Sequence, residues 1–396
     1  MKLTQYFTAL VLLATQVASI PTLLRVDNAP EYTFQLETPE DFDLNLQELR
    51  LVQMAPDAEP IWITELEKIQ AMAAGLNFMD ITEAEDLGTH SLKKHQWPEF
   101  HGLSASKEVK QVIKELSIDG PVENLQAFTS FRTRHYRSQS GRESQKWLAQ
   151  RIHETTSKFA AKGLQNLITI SEFPHSWGQN SIVVRINGSS PTDEGIVVVG
   201  AHQDSTNIWP FLPAPGADDD GSGSVTILEA YRALIASDFR PVQHVEFHWY
   251  SAEEGGLLGS QAVAKDYAAK EANVVAMSQF DMTAWVKSGH KEEVGIIVDY
   301  VDPEVTALNK HLVDAYLDIP YVETKCGYAC SDHASWSKAG YRSSFTIESA
   351  FENSNKNIHS ANDRIDISPE FSFTHMLEFS KLAVAFVIEV GGWAKK

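Results

Sequence analysis

Five side chains of types that commonly bind metal ions follow one another along the second half of this 396-residue sequence. They are two histidines and three carboxylates, in the order His202, Asp219, Glu254, Asp281 and His359. Two neutral imidazoles and three carboxylates suffice to hold two zinc ions when one carboxylate is shared. Glu253 stands directly before Glu254, and a glutamate beside a metal ligand can deprotonate the attacking water of a hydrolase. The pattern therefore predicts a metallohydrolase with two metal ions.

The surroundings of Asp219 are the most informative of the five. It is the middle aspartate of the stretch Gly-Ala-Asp-Asp-Asp-Gly-Ser-Gly, residues 216–223. Three consecutive aspartates repel one another, which is costly unless cations are close. A solvated turn in which an aspartate caps the next helix is the alternative. The flanking glycines and the apolar helix that follows favour a bound cation.

The other four candidate ligands lie in sequence contexts that are less specific for metal binding. His202 opens a His-x-Asp unit, in which Asp204 could accept the second imidazole N–H and fix the tautomer, although most such units arise by chance. Glu253 and Glu254 end a largely apolar run and precede glycines, which permit unusual backbone angles beside a site; an exposed acidic pair is the alternative. Asp281 and His359 are each ambiguous in isolation, and His333 also stays open.

Strand-like and helix-like segments alternate from about residue 105 onward. Short β-branched runs predict strands at 181–186, 196–199, 244–250, 274–280, 294–298 and 343–347. Helical periodicity predicts helices at 106–116, 140–158, 223–237, 257–270 and 303–317. Such alternation is typical of a three-layer α/β/α fold with a mixed, mostly parallel central sheet. His202, the Glu253–Glu254 pair and Asp281 each follow a strand, where ligands bind in such sheets.

The amino terminus predicts a secreted protein. Residues 1–19 combine Lys2, a short apolar core and small residues at 17–19, as in a signal peptide, and the core is too short to span a membrane. Residues 20–90 are a separate acidic segment, whose positions 21–90 hold 15 acidic residues against three basic ones. A pro-segment removed on maturation is favoured over an attached domain, and its boundary is left open near Lys93 and Lys94. The domain predicted to carry the chemistry is 105–396.

Net charge and cysteine content indicate which partners and covalent modifications to expect. The net charge of −20 and the lack of a basic patch give no reason to expect nucleic acid as a partner. Cys326 and Cys330 are the only cysteines, and in a secreted chain such a close pair suggests a disulfide, with two free buried thiols as the alternative. Asn187 begins the sole glycosylation sequon.

Four stretches together resemble a known family, the co-catalytic di-zinc aminopeptidases of metallopeptidase family twenty-eight, and within it the secreted fungal leucyl aminopeptidases. They are 200–204 (Gly-Ala-His-Gln-Asp), 216–223, 251–260 (Ser-Ala-Glu-Glu-Gly-Gly-Leu-Leu-Gly-Ser) and 326–336 (Cys-Gly-Tyr-Ala-Cys-Ser-Asp-His-Ala-Ser-Trp). Residues 358–360 with Asp363 match the segment of the last ligand. The resemblance covers about residues 105–396, and a zinc-exopeptidase-like fold is what it implies.

The resemblance also implies roles for individual residues. Asp219 would bridge two Zn²⁺ ions, with His202 and Asp281 completing one site. Glu254 and His359 would complete the other. Glu253 would be the general base, and Tyr328 in the cysteine loop would donate its hydroxyl to the oxyanion. The tyrosine's role comes from the resemblance alone, and cobalt or manganese could replace zinc at ligands of this kind.

The expected activity is release of one apolar, leucine-like residue from the free amino terminus of a peptide, by a monomer that needs no membrane. An apolar side-chain pocket, or else plain core packing, is expected of Met282, Phe345, Phe351 and Ile358. A dipeptidase or carboxypeptidase is a rival, but such enzymes usually carry an inserted lid domain, and the separation of 78 positions from Asp281 to His359 leaves little room for one. A glutaminyl cyclase with one zinc, or a binding domain without metals, fits the five ligands less well.

Overall fold

The computed structural model describes residues 39–89, 102–190 and 195–394. The predicted signal peptide, residues 1–19, lies outside the described residues, as do positions 20–38 and 90 of the acidic segment and its expected boundary near Lys93 and Lys94. The described residues belong to one unit, Thr38–Lys396.

The described part of the acidic segment folds into a small sheet and a helix. Strands β1 (Leu49–Gln53), β2 (Ile61–Thr64) and β3 (Met79–Asp80) pair antiparallel in the order β2-β1-β3, and helix α1 (Glu65–Ala73) follows β2. Thr64 and Glu67 form a reciprocal capping box that satisfies backbone N–H groups at the start of α1. The helix therefore begins where its sequence provides a cap.

Eight further strands form the central sheet, in the order β10-β9-β11-β8-β6-β7-β5-β4. They are β4 (Ile168–Phe173), β5 (Ser181–Ile186), β6 (Ile196–His202), β7 (His244–Tyr250), β8 (Val274–Phe280), β9 (Val294–Ile297), β10 (Tyr321–Thr324) and β11 (Ser343–Ile347). Strand β6 runs parallel to both β7 and β8, β11 runs parallel to β8, and β10 runs parallel to β9. The pairings β4–β5, β5–β7 and β9–β11 are antiparallel, so the sheet is mixed.

Nine helices of the described ranges follow the small sheet. They are α2 (Ser106–Ile113), α3 (Asp119–Phe128), α4 (Gln139–Phe159), α5 (Lys162–Gln165), α6 (Gly223–Ala236), α7 (Leu258–Ala269), α8 (Pro303–Tyr316), α9 (His333–Lys338) and α10 (Phe373–Gly391). A π-helical turn (Ala217–Ser222) leads into α6, and a 3₁₀ turn (Phe351–Asn353) follows β11. Within the described ranges, no helix is long and apolar enough to cross a membrane.

Side chains of β6 alternate between the two faces of the sheet, as a strand requires. Val197 and Val199 belong to the apolar cluster formed with α6 and α10 on one face. Ile196 and Val198 pack on the other face, against residues of α7 and α9 such as Trp336. The sheet is thus covered by helices on both faces, which confirms the predicted three-layer α/β/α architecture.

Candidate metal centre

Three adjacent parallel strands bring predicted ligands to one edge of the sheet. His202 is the last residue of β6, Asp281 follows β8 directly, and Glu253 and Glu254 lie three and four residues beyond the end of β7. Because β6 pairs in parallel with both neighbours, the carboxyl ends of these strands meet at the same edge. The predicted placement of ligands at strand ends therefore matches the structure.

The other two predicted ligands come from loops over that edge. Asp219 lies in the π-helical turn (Ala217–Ser222) before α6. That turn begins after Gly216, whose backbone φ is +54°. A side chain at Gly216 would meet Ser205 Cβ at 2.5 Å and the carbonyl of Asp219 at 2.6 Å, so only glycine fits. The loop that carries His359 is held by the Ile208 N–H, which donates to the His359 carbonyl at 2.9 Å.

All five predicted ligands meet, and they do so as two groups that share Asp219. Asp219 Oδ1 lies 3.1 Å from His202 Nε2, which lies 3.6 Å from Asp281 Oδ1. Asp219 Oδ2 lies 3.0 Å from His359 Nε2, and that nitrogen lies 3.0 Å from Glu254 Oε2. Two atoms bound to one tetrahedral zinc ion are about 3.3–3.6 Å apart, since each lies about 2.0–2.2 Å from it.

Several buried polar atoms of this centre lack a hydrogen-bond partner, and they show whether the centre could hold metal ions. His202 Nε2, Asp281 Oδ1 and Glu254 Oε1 are buried and have no hydrogen-bond partner among the described atoms. A buried polar atom without a partner is costly, and a cation between such atoms removes the cost. The two groups, His202–Asp219–Asp281 and Asp219–Glu254–His359, each have nitrogen and oxygen donors close enough to hold one ion. The donor set suits zinc.

The two imidazoles beside the shared carboxylate of Asp219 favour its ionised form. Burial alone would raise the pKa of Asp219, but the imidazoles of His202 and His359 beside it lower that pKa well below its usual range. Asp219 is therefore held as a carboxylate with one oxygen toward each group.

Three further aspartates hold the backbone of the ligand-bearing segments. Asp204 accepts hydrogen bonds from the Glu253 and Glu254 N–H groups at 3.1 and 3.2 Å, and lies 3.4 Å from His202 Nδ1.

Asp220 accepts hydrogen bonds from the N–H groups of His202 (3.1 Å), Gly223 (2.8 Å) and Met282 (3.1 Å). Asp363 accepts from the N–H groups of Asp218 and Asp219, both at 3.0 Å. Each aspartate thus ties ligand segments to one another or to a supporting loop.

Replacing Asp204 with asparagine is expected to weaken zinc binding by about 10–100-fold, as loss of a partner behind metal ligands typically does. An amide cannot accept both N–H bonds and also face His202 Nδ1, so the Glu253–Glu254 segment and the imidazole both lose their anchor. Competition against a chelator measures the affinity. The exposed Asp366→Asn variant is the control, and equal affinities of the two variants would contradict the assigned role.

Three non-glycine residues next to the ligands have left-handed backbone angles. Ala252 (φ +57°) precedes the Glu253–Glu254 pair, Met282 (φ +57°) follows Asp281, and His359 itself has φ +55°. Such angles cost about 1–3 kcal/mol each for residues with a side chain and cluster at functional sites. Three of the seven such residues in the described ranges thus lie at or beside a ligand.

A cavity of about 260 Å³ opens beside the two ligand groups. Glu253 and Tyr328 both line it, together with Asp219, Glu254, Asp281 and His359. Burial, with the negative charges of Glu254, Asp332 and Asp281, raises the pKa of the Glu253 carboxyl well above its usual value, while His202 lowers it. Burial and nearby carboxylates also raise the pKa of the Tyr328 hydroxyl, which keeps it protonated and able to donate.

The apolar wall of this cavity contains all four residues expected there: Met282, Phe345, Phe351 and Ile358. They pack in one cluster with Ile297, Ile347 and the two cysteines, so pocket lining and core packing are not exclusive alternatives here. His333 lies behind the wall, where its ring stacks on Phe345 at 4.9 Å. Burial lowers the pKa of His333 to about 3, and among the described atoms neither ring nitrogen has a partner.

The cysteine loop is closed by the predicted disulfide between Cys326 and Cys330, so the alternative of two free thiols is wrong. The Cys326 and Gly327 N–H groups donate to Asp299 at 3.2 and 2.8 Å. These bonds hold the loop that presents Tyr328 to the cavity.

Two supporting residues were missed by the sequence reasoning. The Ser331 hydroxyl donates to Asp281 Oδ2 at 2.6 Å. The buried guanidinium of Arg134 donates to the carbonyls of Gln203 (2.8 Å), Pro215 and Gly216 (2.8 Å), which joins the loops after β6 and before α6. Ser331 lies within the motif 326–336 and could have been suspected, but no local pattern distinguishes Arg134.

Comparison with known proteins identifies the family. The family model described as "Peptidase family M28" matches residues 181–383. The curated protein "Leucine aminopeptidase 1" of Neurospora crassa is 47% identical over 350 residues, which are 86% of this chain and 85% of that protein. The chain belongs to peptidase family M28. The resemblance predicted from the motifs is thereby confirmed, and with it the prediction of an enzyme of this family.

Solved structures agree with this assignment. The aminopeptidase LapA of Legionella pneumophila matches with a TM-score of 0.76 and 27% identity, over 88% of this chain and 99% of that structure. A glutaminyl cyclase of Porphyromonas gingivalis matches with a TM-score of 0.52 and 16% identity, over 69% of this chain and 98% of that structure. The second likeness shows a shared fold alone.

Proposed function

We propose that this M28 peptidase is a secreted di-zinc aminopeptidase, which releases apolar, leucine-like residues from the free amino termini of peptides. The observation that carries the proposal is the pair of ligand groups sharing Asp219 beside a small cavity with an apolar wall. The neighbouring position of Glu253 supports a hydrolytic reaction. The names of relatives, leucine aminopeptidases of fungi, support the choice of an amino-terminal leucine.

Two zinc ions held by the five ligands would supply Lewis-acid chemistry, lowering the pKa of a water and polarising the scissile carbonyl. The Glu253 carboxylate takes the proton from the attacking water and later delivers it to the leaving amine. The Tyr328 hydroxyl donates a hydrogen bond to the oxyanion that forms at the carbonyl carbon. Asp204 keeps the backbone of Glu253 in place during both proton transfers.

The lining of the cavity supports an exopeptidase. Its apolar wall suits a leucine-like side chain, and its carboxylates suit the ammonium of a free amino terminus. All five ligands, Glu253 and Tyr328 come from one chain, which supports the predicted monomer.

Peptide digestion tests the proposal. A peptide beginning with leucine should lose single residues from its amino terminus, as followed by mass spectrometry, while its N-acetylated form should stay intact. Internal cleavage, or release from the carboxyl end, would overturn the proposal. Loss of ammonia from a peptide that begins with glutamine would instead point to the chemistry of a cyclase.

We also propose that the acidic segment 20–90 is a pro-segment that restricts the site until it is removed. Met72, Leu76, Asn77 and Phe78, which follow or end α1, line the same cavity as Glu253. The Lys68 ammonium donates to the Gly255 carbonyl at 3.2 Å, and the Asp80 N–H donates to the Gly256 carbonyl at 3.0 Å. The segment is thus attached directly to the loop after Glu253 and Glu254.

Cleaving the folded chain between the segment and the rest is expected to raise the activity toward leucine p-nitroanilide. An engineered protease site within residues 90–101 permits this cleavage after folding, so that any help in folding is retained. Rates before and after cleavage give the effect, and protease added to a chain without that site is the control. Equal rates once the segment has dissociated would rule out inhibition.

Secretion and glycosylation belong to the same proposal. Secretion is supported by the signal-like composition of residues 1–19. Asn187 follows β5 directly and is half-buried, with its N–H donating to the Leu167 carbonyl at 2.8 Å. Amino-terminal sequencing of the mature protein and treatment with a glycosidase test the two statements.

A further inference from the structure

One cation stands in the wall of an otherwise acidic and apolar cavity. Among the described residues that line it, Lys356 is the only lysine or arginine. The acidic residues there belong to the metal centre or, as Glu253, lie beside it. Lys356 instead belongs to the loop between the 3₁₀ turn and His359, which also contains the wall residue Ile358, and the wall residue Phe351 begins that turn.

Two hydrogen bonds fix the ammonium of Lys356 within this wall. Its Nζ donates to the Phe351 carbonyl at 3.1 Å and to the Ser354 hydroxyl at 3.1 Å. It also lies 5.6 Å from the centroid of the Phe351 ring, within the range of a cation–π contact. Phe351 and Ser354 themselves line the cavity. The positive charge is therefore held beside the surface that would receive the substrate's first side chain.

This charge opposes the field of the rest of the molecule. A chain with net charge −20 attracts basic peptides, and the carboxylates of the metal centre would add to that preference at short range. An ammonium in the pocket wall repels a lysine or arginine side chain that enters the pocket, and it attracts a carboxylate.

We propose that Lys356 sets the charge preference of the side-chain pocket, against amino-terminal lysine and arginine and in favour of uncharged and acidic residues. The inference deepens the proposed function and rests on it, because it names which side chains the aminopeptidase admits. Lys356 acts here as a specificity-determining residue, without a part in the proton transfers.

Four variants of the full chain separate the charge from the shape of Lys356. Lys356→Met keeps the length of the side chain and removes the charge, Lys356→Glu reverses the charge, and Lys356→Arg keeps it. The matched control is Lys287→Met. Lys287 is a neighbouring cation that donates to Asn353 Oδ1 at 2.9 Å and is not among the residues lining this cavity.

The readout is kcat/KM for lysine, leucine and glutamate p-nitroanilides with zinc present. The lysine-to-leucine ratio is expected to rise about threefold in Lys356→Met and about tenfold in Lys356→Glu, modest values because Lys356 is exposed. The glutamate-to-leucine ratio is expected to fall in the same order. In Lys356→Arg and Lys287→Met both ratios should stay within about twofold of the original. Because the net negative charge is common to both proteins, added salt should raise the lysine-to-leucine ratio of the unmodified protein relative to that of Lys356→Met.

An unchanged lysine-to-leucine ratio in both Lys356→Met and Lys356→Glu, with leucine still cleaved, would overturn the inference and leave the proposed function standing. A uniform loss on all three substrates would also overturn it, since it would mean that Lys356 only holds the Phe351 loop. Failure of the unmodified protein, after cleavage within residues 90–101, to hydrolyse any of the three substrates would overturn the proposed function itself, and the inference with it.

Discussion

Replacing Glu253 with glutamine is expected to lower kcat for leucine p-nitroanilide by about 10²–10⁴-fold, the usual contribution of a general base. Glutamine keeps the shape of the side chain but cannot take a proton from the attacking water. Glu253 does not belong to either ligand group, so both zinc ions should stay bound. The large loss should therefore fall on turnover, with metal content unchanged.

Metal analysis alongside steady-state kinetics makes this test specific. The control is Glu143→Gln, a change of the same kind on the exposed side of α4, which should leave turnover within about twofold of the original. Near-normal turnover of Glu253→Gln with two zinc ions per chain would remove Glu253 from the mechanism. A loss of zinc would mean that Glu253 is needed to hold metal.

Replacing Asp219 with asparagine is expected to weaken the binding of both metal ions, by more than the roughly 10–100-fold that loss of a supporting residue costs. Each oxygen of Asp219 faces one group, at 3.1 Å from His202 Nε2 and 3.0 Å from His359 Nε2. An amide retains one oxygen and loses the negative charge, so it cannot serve both ions. Activity toward leucine p-nitroanilide should fall with the metal content.

Asp281→Asn is the matched comparison, because Asp281 belongs to only one of the two groups. Chelator competition should show one weakened ion in Asp281→Asn and two in Asp219→Asn. If both variants lost a single ion, Asp219 would not be the shared ligand. The comparison thus tests the bridge directly rather than the need for metal in general.

The central layers of the fold could be predicted because their segments have clear periodicity. Strands β7 and β8 coincide with the predicted ranges, and the bounds of helices α4, α6 and α8 lie within one residue of the predicted ones. Strand β6 continues three residues beyond its predicted end, to His202. Helix α10 was missed since its sequence is apolar nearly throughout and shows no exposed polar face. Helix α3 was missed because Gly120 and Pro121 resemble a turn, although proline is tolerated in the first helical turn.

The metal centre was predictable to the extent that its ligands follow strands or lie in distinctive stretches. His202, Asp281 and the Glu253–Glu254 pair follow from the strand-end rule. His359 lies in a loop without regular structure, so only the family resemblance selected it from 14 histidines. The roles of Asp220 and Asp363 depend on backbone N–H groups from distant segments, and such contacts leave no local pattern.

The relation of the acidic segment to the site also could not be read from the sequence. Its composition separates it from the following domain, but composition does not tell where a segment packs. Lys68, Asp80, Arg50 and Glu65 form a buried group of opposite charges, with Lys68 and Asp80 reaching Gly255 and Gly256. Buried charges of this kind need paired partners, and the pairing appears only in three dimensions.

Zinc titration of the metal-free protein tests the central claim most directly. After removal of metal with a chelator, zinc is added back while bound zinc and hydrolysis of leucine p-nitroanilide are followed together. Saturation of activity at two zinc ions per chain, with no hydrolysis of the N-acetylated substrate at any point, is the predicted result. Full activity at one ion, activity indifferent to the chelator, or equal cleavage of the acetylated substrate would contradict a di-zinc aminopeptidase.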